Sequence, residues 1–225
     1  MKHDMKKALK DTIPVLSGYM VLGMGFGILM QTKGYGVLWT LAMSALVYAG
    51  SMQYLAVDLL CGGATLLSAA LTTLFVNARH LFYGISMVDR YKGAGKKKPY
   101  MIFALTDETY SLVCNTEGSH RYCFLVSLFN QIWWVSGSLL GAVVGGFLPV
   151  ALTEGIDFAL TALFVTVFVE QWKSTKDHIP AIVGVLASVA CLLIFGADRF
   201  LIPAMLLITA ALSVLKWIRK EVRHD

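Results

Sequence analysis

Charge is scarce in this chain: Asp, Glu, Lys and Arg make up 15% of its 225 residues, against about a quarter in soluble domains. With 57% of residues hydrophobic, water is excluded as the main solvent. Cysteine is scarce as well. Cys61, Cys114, Cys123 and Cys191 stand far apart without CxxC or Cys/His spacing, so the pattern implies neither a metal site nor a disulfide framework. They read as small buried apolar residues. The chain has no Walker A loop, no dinucleotide fingerprint after a strand, and no HExxH or nucleophile elbow, which argues against ATP-driven work by this chain alone and implies no cofactor. An intramembrane enzyme would need a paired nucleophile and base, and none is evident.

Apolar sequence fills the space instead. Apolar runs fall at about 12–31, 37–58, 64–86, 100–114, 122–148, 156–172, 179–196 and 200–217, and a membrane-crossing helix takes about 20 such residues. The expected fold class is therefore an all-α integral membrane protein, one transmembrane domain over 1–225 built as a bundle of about seven or eight apolar helical segments. The first run holds Pro14, Gly18, Gly23, Gly25 and Gly27 with no small-x-small cleavage pattern after it, and reads as a retained helix rather than a signal peptide. Two Gly-rich runs, 12–31 and 122–148, are each followed by three apolar runs. That order admits a two-fold repeat with halves 12–114 and 122–217, and re-entrant or broken helices are common in folds of this kind.

A net charge of +5 does not point to nucleic acid, because thirteen of the nineteen Lys and Arg residues sit in three short segments flanking apolar runs. Membrane orientation explains them. Positive charge stays on the cytoplasmic side, so the N-terminus (Lys2, Lys6, Lys7, Lys10), the central loop Asp89–Pro99 and the C-terminus (Lys216, Arg219, Lys220, Arg223) are all expected to be cytoplasmic. Three full crossings before the central loop would put it outside. Either one of those runs is re-entrant or the loop breaks the rule, and the short, polar run 100–114 reads as a second re-entrant segment.

Several polar residues interrupt the runs. Gly23 and Gly27, and then Gly137, Gly141 and Gly145, form stripes along which another helix backbone can approach closely. In the second run Gly50 and Ser51 make a plausible break, with Ser51, Tyr54 and Asp58 sharing a face and Gln53 alongside. A broken helix exposes N–H and C=O groups that can hold the ends of a zwitterion; the bland alternative is that Ser51 and Gln53 bond between helices. The third run contains Asn77, Arg79 and His80, and an arginine at mid-bilayer costs at least ~2.5 kcal/mol unless it meets a partner or a wet cavity. Snorkelling to the interface is the alternative. In the fourth run Asp107 and Glu108 point in different directions; one carboxyl is expected to pair with Arg79, leaving the other for a proton or a substrate amine. Capping of a short helix is the competing reading. Asp157, with Thr161 one turn on, is either substrate-facing or a cap, and Asn130 and Gln131 receive no role beyond a buried amide or an aromatic belt.

Ser51, Gln53, Tyr54, Asn77, Arg79, His80, Asp107, Glu108 and Asp157 are thus the candidate substrate-binding or ion-coupling residues, and all but Tyr54 and Asp157 are expected to converge on one polar cavity. Phe75, Tyr54 or Leu105 would cover an aliphatic tail, and His80 is the first candidate for proton coupling. The physical reading supports a transporter for a small solute, with a channel as the alternative.

The segments Ala49-Gly50-Ser51-Met52-Gln53, Asn77-Ala78-Arg79-His80 with Tyr83-Gly84, Thr106-Asp107-Glu108-Thr109, and Gly155-Ile156-Asp157-Phe158-Ala159-Leu160-Thr161-Ala162-Leu163-Phe164 together resemble the AzlC family, the large subunits of bacterial branched-chain amino acid exporters. The resemblance covers nearly the whole chain. It implies a permease in the bacterial inner membrane that exports leucine, isoleucine, valine or analogues such as azaleucine, working with a small hydrophobic subunit of the AzlD type. No binding residue is carried over from the family.

Overall fold

The computed structural model of the chain describes residues 2–114, 116, 118–149, 158–196 and 200–221. The regular structure of the described residues is all helical, with no strand among them. They divide into two units, 1–163 and 164–225.

The first unit is organised by its two long helices, α1 (Lys2–Thr32) and α8 (His120–Gly145). At 1.5 Å per residue they measure about 46 and about 39 Å, and among the described residues they are the two helices long and apolar enough to cross a bilayer on their own. They run parallel. Ser119 at the head of α8 donates to Asp4 at 3.0 Å, Tyr122 donates to Asp11 at 2.7 Å, Tyr19 packs edge-on to Trp134 at 5.3 Å, and Gly145 reaches the backbone of Ile28. Glycine makes the contact possible. A Cβ on Gly23 would stand 3.0 Å from the Ser138 backbone, and one on Gly27 or Gly141 would overlap the facing main chain outright. This is close small-residue packing, as the glycine stripes predict.

Between these two helices in the sequence come short ones. The second apolar run forms α2 (Val37–Ala42), a π-helical turn Met43–Val47, and α3 (Gly50–Cys61). The third forms α4 (Leu66–Val76) and α5 (Ala78–Ser86), and the fourth forms α6 (Lys98–Phe103) and α7 (Asp107–Val113). Three runs that hydropathy shows as continuous are each cut in two.

Their contacts give their levels along α1 and α8. The segment Val37–Val47 begins beside the far end of α1, where Tyr35 bonds back to Met30, and reaches mid-height, where Gln131 of α8 donates to the Ala45 carbonyl at 3.0 Å. α3 then turns back: Gly50 lies against Trp134, Tyr54 donates to the Leu22 carbonyl at 2.6 Å, and its ring meets Phe26. This pair is a hairpin dipping in from the far end. α6 and α7 form its counterpart from the N-terminal end. Lys97 lies over Phe124, Ala104 is buried with Tyr19 and Trp134, and Val113 is back among Ala8, Tyr122 and Cys123. α4 and α5 make a single broken crossing between the two ends, since Met87 and Tyr91 after α5 join that same N-terminal cluster. Each hairpin arm has 12 residues or fewer, too short for a bilayer core that takes about 20.

The outward faces are apolar. Leu66 is 90% exposed, Phe82 71% and Phe147 85%, a surface that water tolerates poorly and lipid does not. In the second unit the end of α9 (Phe158–Ser174), then α10 (Ile179–Phe195) and α11 (Leu201–Glu221), enclose a groove of about 670 Å³ lined by Trp172, His178 and Gly184 among others.

Candidate solute-binding site

All three breaks sit near the same height of the first unit. The π turn ends at Tyr48, whose φ of 42° is the left-handed conformation that stops a helix. Ala49 is then the cap of α3 and offers no side-chain bond, so the first N–H groups of α3 are left without a protein cap. α5 starts equally bare: Asn77 gives only its carbonyl, which accepts from the His80 N–H at 2.9 Å. α7 differs, because Thr106 caps it by accepting from the Thr109 N–H. Two uncapped helix N-termini, each carrying partial positive charge, thus end at mid-height.

Arg79 ties the breaks together. Its guanidinium lies 2.5 Å from the Asp107 carboxylate and donates to the Ser51 hydroxyl at 3.1 Å, linking α5 to α7 and to the first turn of α3. Arg79 and Asp107 are each about one-third exposed, so the pair is reachable. Glu108 faces elsewhere. It accepts from Tyr19 of α1 at 2.6 Å, and the Tyr19 hydroxyl lies 2.8 Å from that of Thr106. One carboxyl is therefore held by a cation and the other by a phenol. Gln53 is wholly buried with neither amide atom bonded, and the Asn77 Oδ1 and Arg79 Nε also lack partners. Groups so buried cost free energy unless something polar joins them.

A cavity of about 470 Å³ adjoins this polar level, within the size range of small-molecule sites. Tyr48, Ala49, Asn77 and His80 line its mid-height end; Leu81, Gly84, Met87 and Val88 of α5 and the turn after it, together with Ile102, Phe103 and Leu105, form its walls. It extends to Tyr91 and Lys98 at the N-terminal end. Burial pushes the Tyr91 phenol above its ordinary value, so that group stays neutral. The arrangement pairs charges of both signs with an apolar slot, which is what a zwitterion with an aliphatic tail requires.

The AzlC protein family matches residues 14–148. The chain is 42% identical to the branched-chain amino acid transport protein AzlC of Bacillus subtilis, over 94% of this chain and 85% of that one. The chain belongs to the AzlC family. It is also 39% identical to a membrane protein of Helicobacter pylori, over 95% of this chain and 97% of that one, and 28% identical to the inner membrane protein YgaZ of Escherichia coli, over 88% and 83%. No solved structure matches the chain.

Of the residues singled out in the sequence, this AzlC-family fold brings Ser51, Asn77, Arg79, His80, Asp107 and Glu108 to one level from three separate segments, with Gln53 buried in the same turn as Ser51. Tyr54 is placed away from the cavity, in the core against Phe26 and the Leu22 carbonyl. Of the seven residues expected to share one cavity, Asn77 and His80 line it and Ser51, Gln53, Arg79, Asp107 and Glu108 do not; Leu105 lines its wall, whereas Phe75 and Tyr54 do not. Asp157 lies outside the described residues. Three residues received no role from sequence. Tyr19 holds Glu108; Asn130 donates to Thr109 at 3.0 Å; and Gln131 bridges the two hairpins, donating to Ala45 and accepting from Tyr100 at 2.6 Å. Two adjacent amides in an apolar run were the available signal, since buried amides need partners.

Proposed function

We propose that this protein is a secondary transporter that exports branched-chain amino acids and related analogues, as the large subunit of a permease completed by a small hydrophobic subunit of the AzlD type. The observation that carries this is the Arg79–Asp107 pair standing at the meeting of three helix breaks, beside an apolar cavity. A zwitterion matches that pair charge for charge. Its carboxylate takes the Arg79 guanidinium and the uncapped N-terminus of α5, its ammonium takes Asp107, and its aliphatic tail lies along Leu81, Phe103 and Leu105. Insertion replaces the bond between α5 and α7 with two bonds to the solute, which gives binding a means of shifting the helices. The name of the Bacillus subtilis relative supports the substrate class.

Charge supports an orientation for this proposed exporter. Lys6, Lys7 and Lys10, the loop from Arg90 to Lys98, and Arg121 gather at the N-terminal end of the first unit, whereas the far-end turns 33–36 and 62–65 carry Lys33 alone. The N-terminal end, the Lys-rich loop and the C-terminus are accordingly cytoplasmic, and the cavity that reaches Lys98 loads from that side. Glu108, bound by a phenol rather than a cation, is the carboxyl left free to carry a proton, with His80 beside the cavity as the other candidate.

The test is efflux from vesicles loaded with labelled leucine, with the chain reconstituted with and without its small partner. Saturable leucine exit that unlabelled valine competes away, and that the partner raises, is the expected result. Leucine exit no faster than from protein-free vesicles in either preparation would refute the function.

A further inference from the structure

We propose that Gly84 sets how large an aliphatic side chain the protein accepts. The inference rests on the cavity being the solute path, and it names the residue that measures the solute. Asn77, His80, Gly84, Met87 and Tyr91 follow one another at intervals of three and four residues, and all line the same cavity. The upper part of this stripe is polar and the lower part apolar, and Gly84 is its midpoint.

Glycine weakens a helix interior, so its presence in α5 calls for a reason. Neither usual reason applies. Its backbone is not among the positive-φ residues, and no facing main chain approaches it, in contrast with Gly27 and Gly141. A Cβ built on Gly84 meets nothing within 4 Å. What the missing side chain leaves is room in the cavity that Ile102 and Phe103 of α6 also line. Along the α5 axis that room begins about 6 Å below His80, which suits the branched end of a solute whose charged head is held at Arg79 and Asp107.

Filling the room should shorten the accepted tail without disturbing the head-group contacts. The experiment measures exit of labelled leucine and labelled alanine from vesicles containing the full-length chain and its partner, per reconstituted protein, for the wild type, Gly84→Ala and Gly84→Leu. Gly18→Leu serves as control, because Gly18 also has open space around it and does not line the cavity. The expected result is that the leucine-to-alanine rate ratio falls at least about tenfold in Gly84→Leu and by less in Gly84→Ala, with Gly18→Leu unchanged. A ratio equal to wild type in both Gly84 variants, or leucine and alanine falling in parallel, would overturn the assignment of Gly84 while leaving transport itself intact. A wild type that moves neither solute would overturn the functional reading instead, and this assignment with it.

Discussion

At the scale of single residues, the site is a set of partners chosen for opposite reasons. Arg79 and Asp107 satisfy each other, so removing either leaves a charge without its counterpart. Arg79→Ala and Asp107→Ala are each expected to lower the yield of folded protein and abolish export, whereas the double variant recovers yield and stays inactive. Quantitative blotting beside a resistance assay with azaleucine checks this, and a double variant that transports would remove the pair from the site. Tyr19→Phe deletes the donor to Glu108, at a cost of about 2 kcal/mol, to be read as a lower thermal midpoint in detergent. Glu108→Gln keeps the shape and an acceptor, so it should fold as well as wild type yet lose any dependence of export on an imposed pH gradient. The Arg79–Asp107 pairing was legible in the sequence, because an arginine and a carboxyl inside apolar runs are each costly enough to demand a partner. Tyr19 was not. A phenol in a Gly-rich apolar run looks the same whether it faces lipid or a carboxylate.

At the scale of elements, the fold depends on one tight pairing and three interruptions. Gly27 and Gly141 allow α1 and α8 to touch main chain to main chain, and Gly141→Val should destabilise the bundle by about 3 kcal/mol or more through overpacking, seen as early aggregation on heating the detergent-solubilised protein. The stripe of glycines announced that contact. The interruptions were harder to read. Gly50 and Ser51 mark the first break to within two residues, since the π turn ends at Tyr48 and α3 starts at Gly50. Yet the run 37–58 is long enough for a full crossing, and nothing in its hydropathy says that it turns back. Length and apolarity are the same for a span and for a hairpin of two half-helices; only contacts with Leu22, Gln131 and Trp134 distinguish them. Asn77 likewise divides α4 from α5 within an otherwise unbroken apolar stretch. Face-sharing misled at Tyr54 for a related reason: Ser51, Met52, Gln53 and Tyr54 are all buried, so the first turn of α3 has no single inward face.

At the scale of the whole molecule, two hairpins entering the first unit from opposite ends reconcile the charge rule with the number of apolar runs. With 37–61 returning to the end where it began, α1 and the broken α4–α5 crossing are the two full passes before the Lys-rich loop, which brings that loop back to the N-terminal side. Single cysteines at Gly34 and Gly63 should therefore both react with an impermeant reagent added to intact cells, and a cysteine at Lys97 should not. Solute bound where the hairpins meet should protect a cysteine placed there. In a protein whose Cys61, Cys114, Cys123 and Cys191 are replaced by serine, Ser51→Cys substitutes the residue that Arg79 contacts, and its reaction with a small permeant thiol reagent can be timed. Leucine should slow that reaction several-fold at concentrations that saturate export, while lysine leaves it unchanged. An unaltered rate in a variant that still exports leucine would contradict the site.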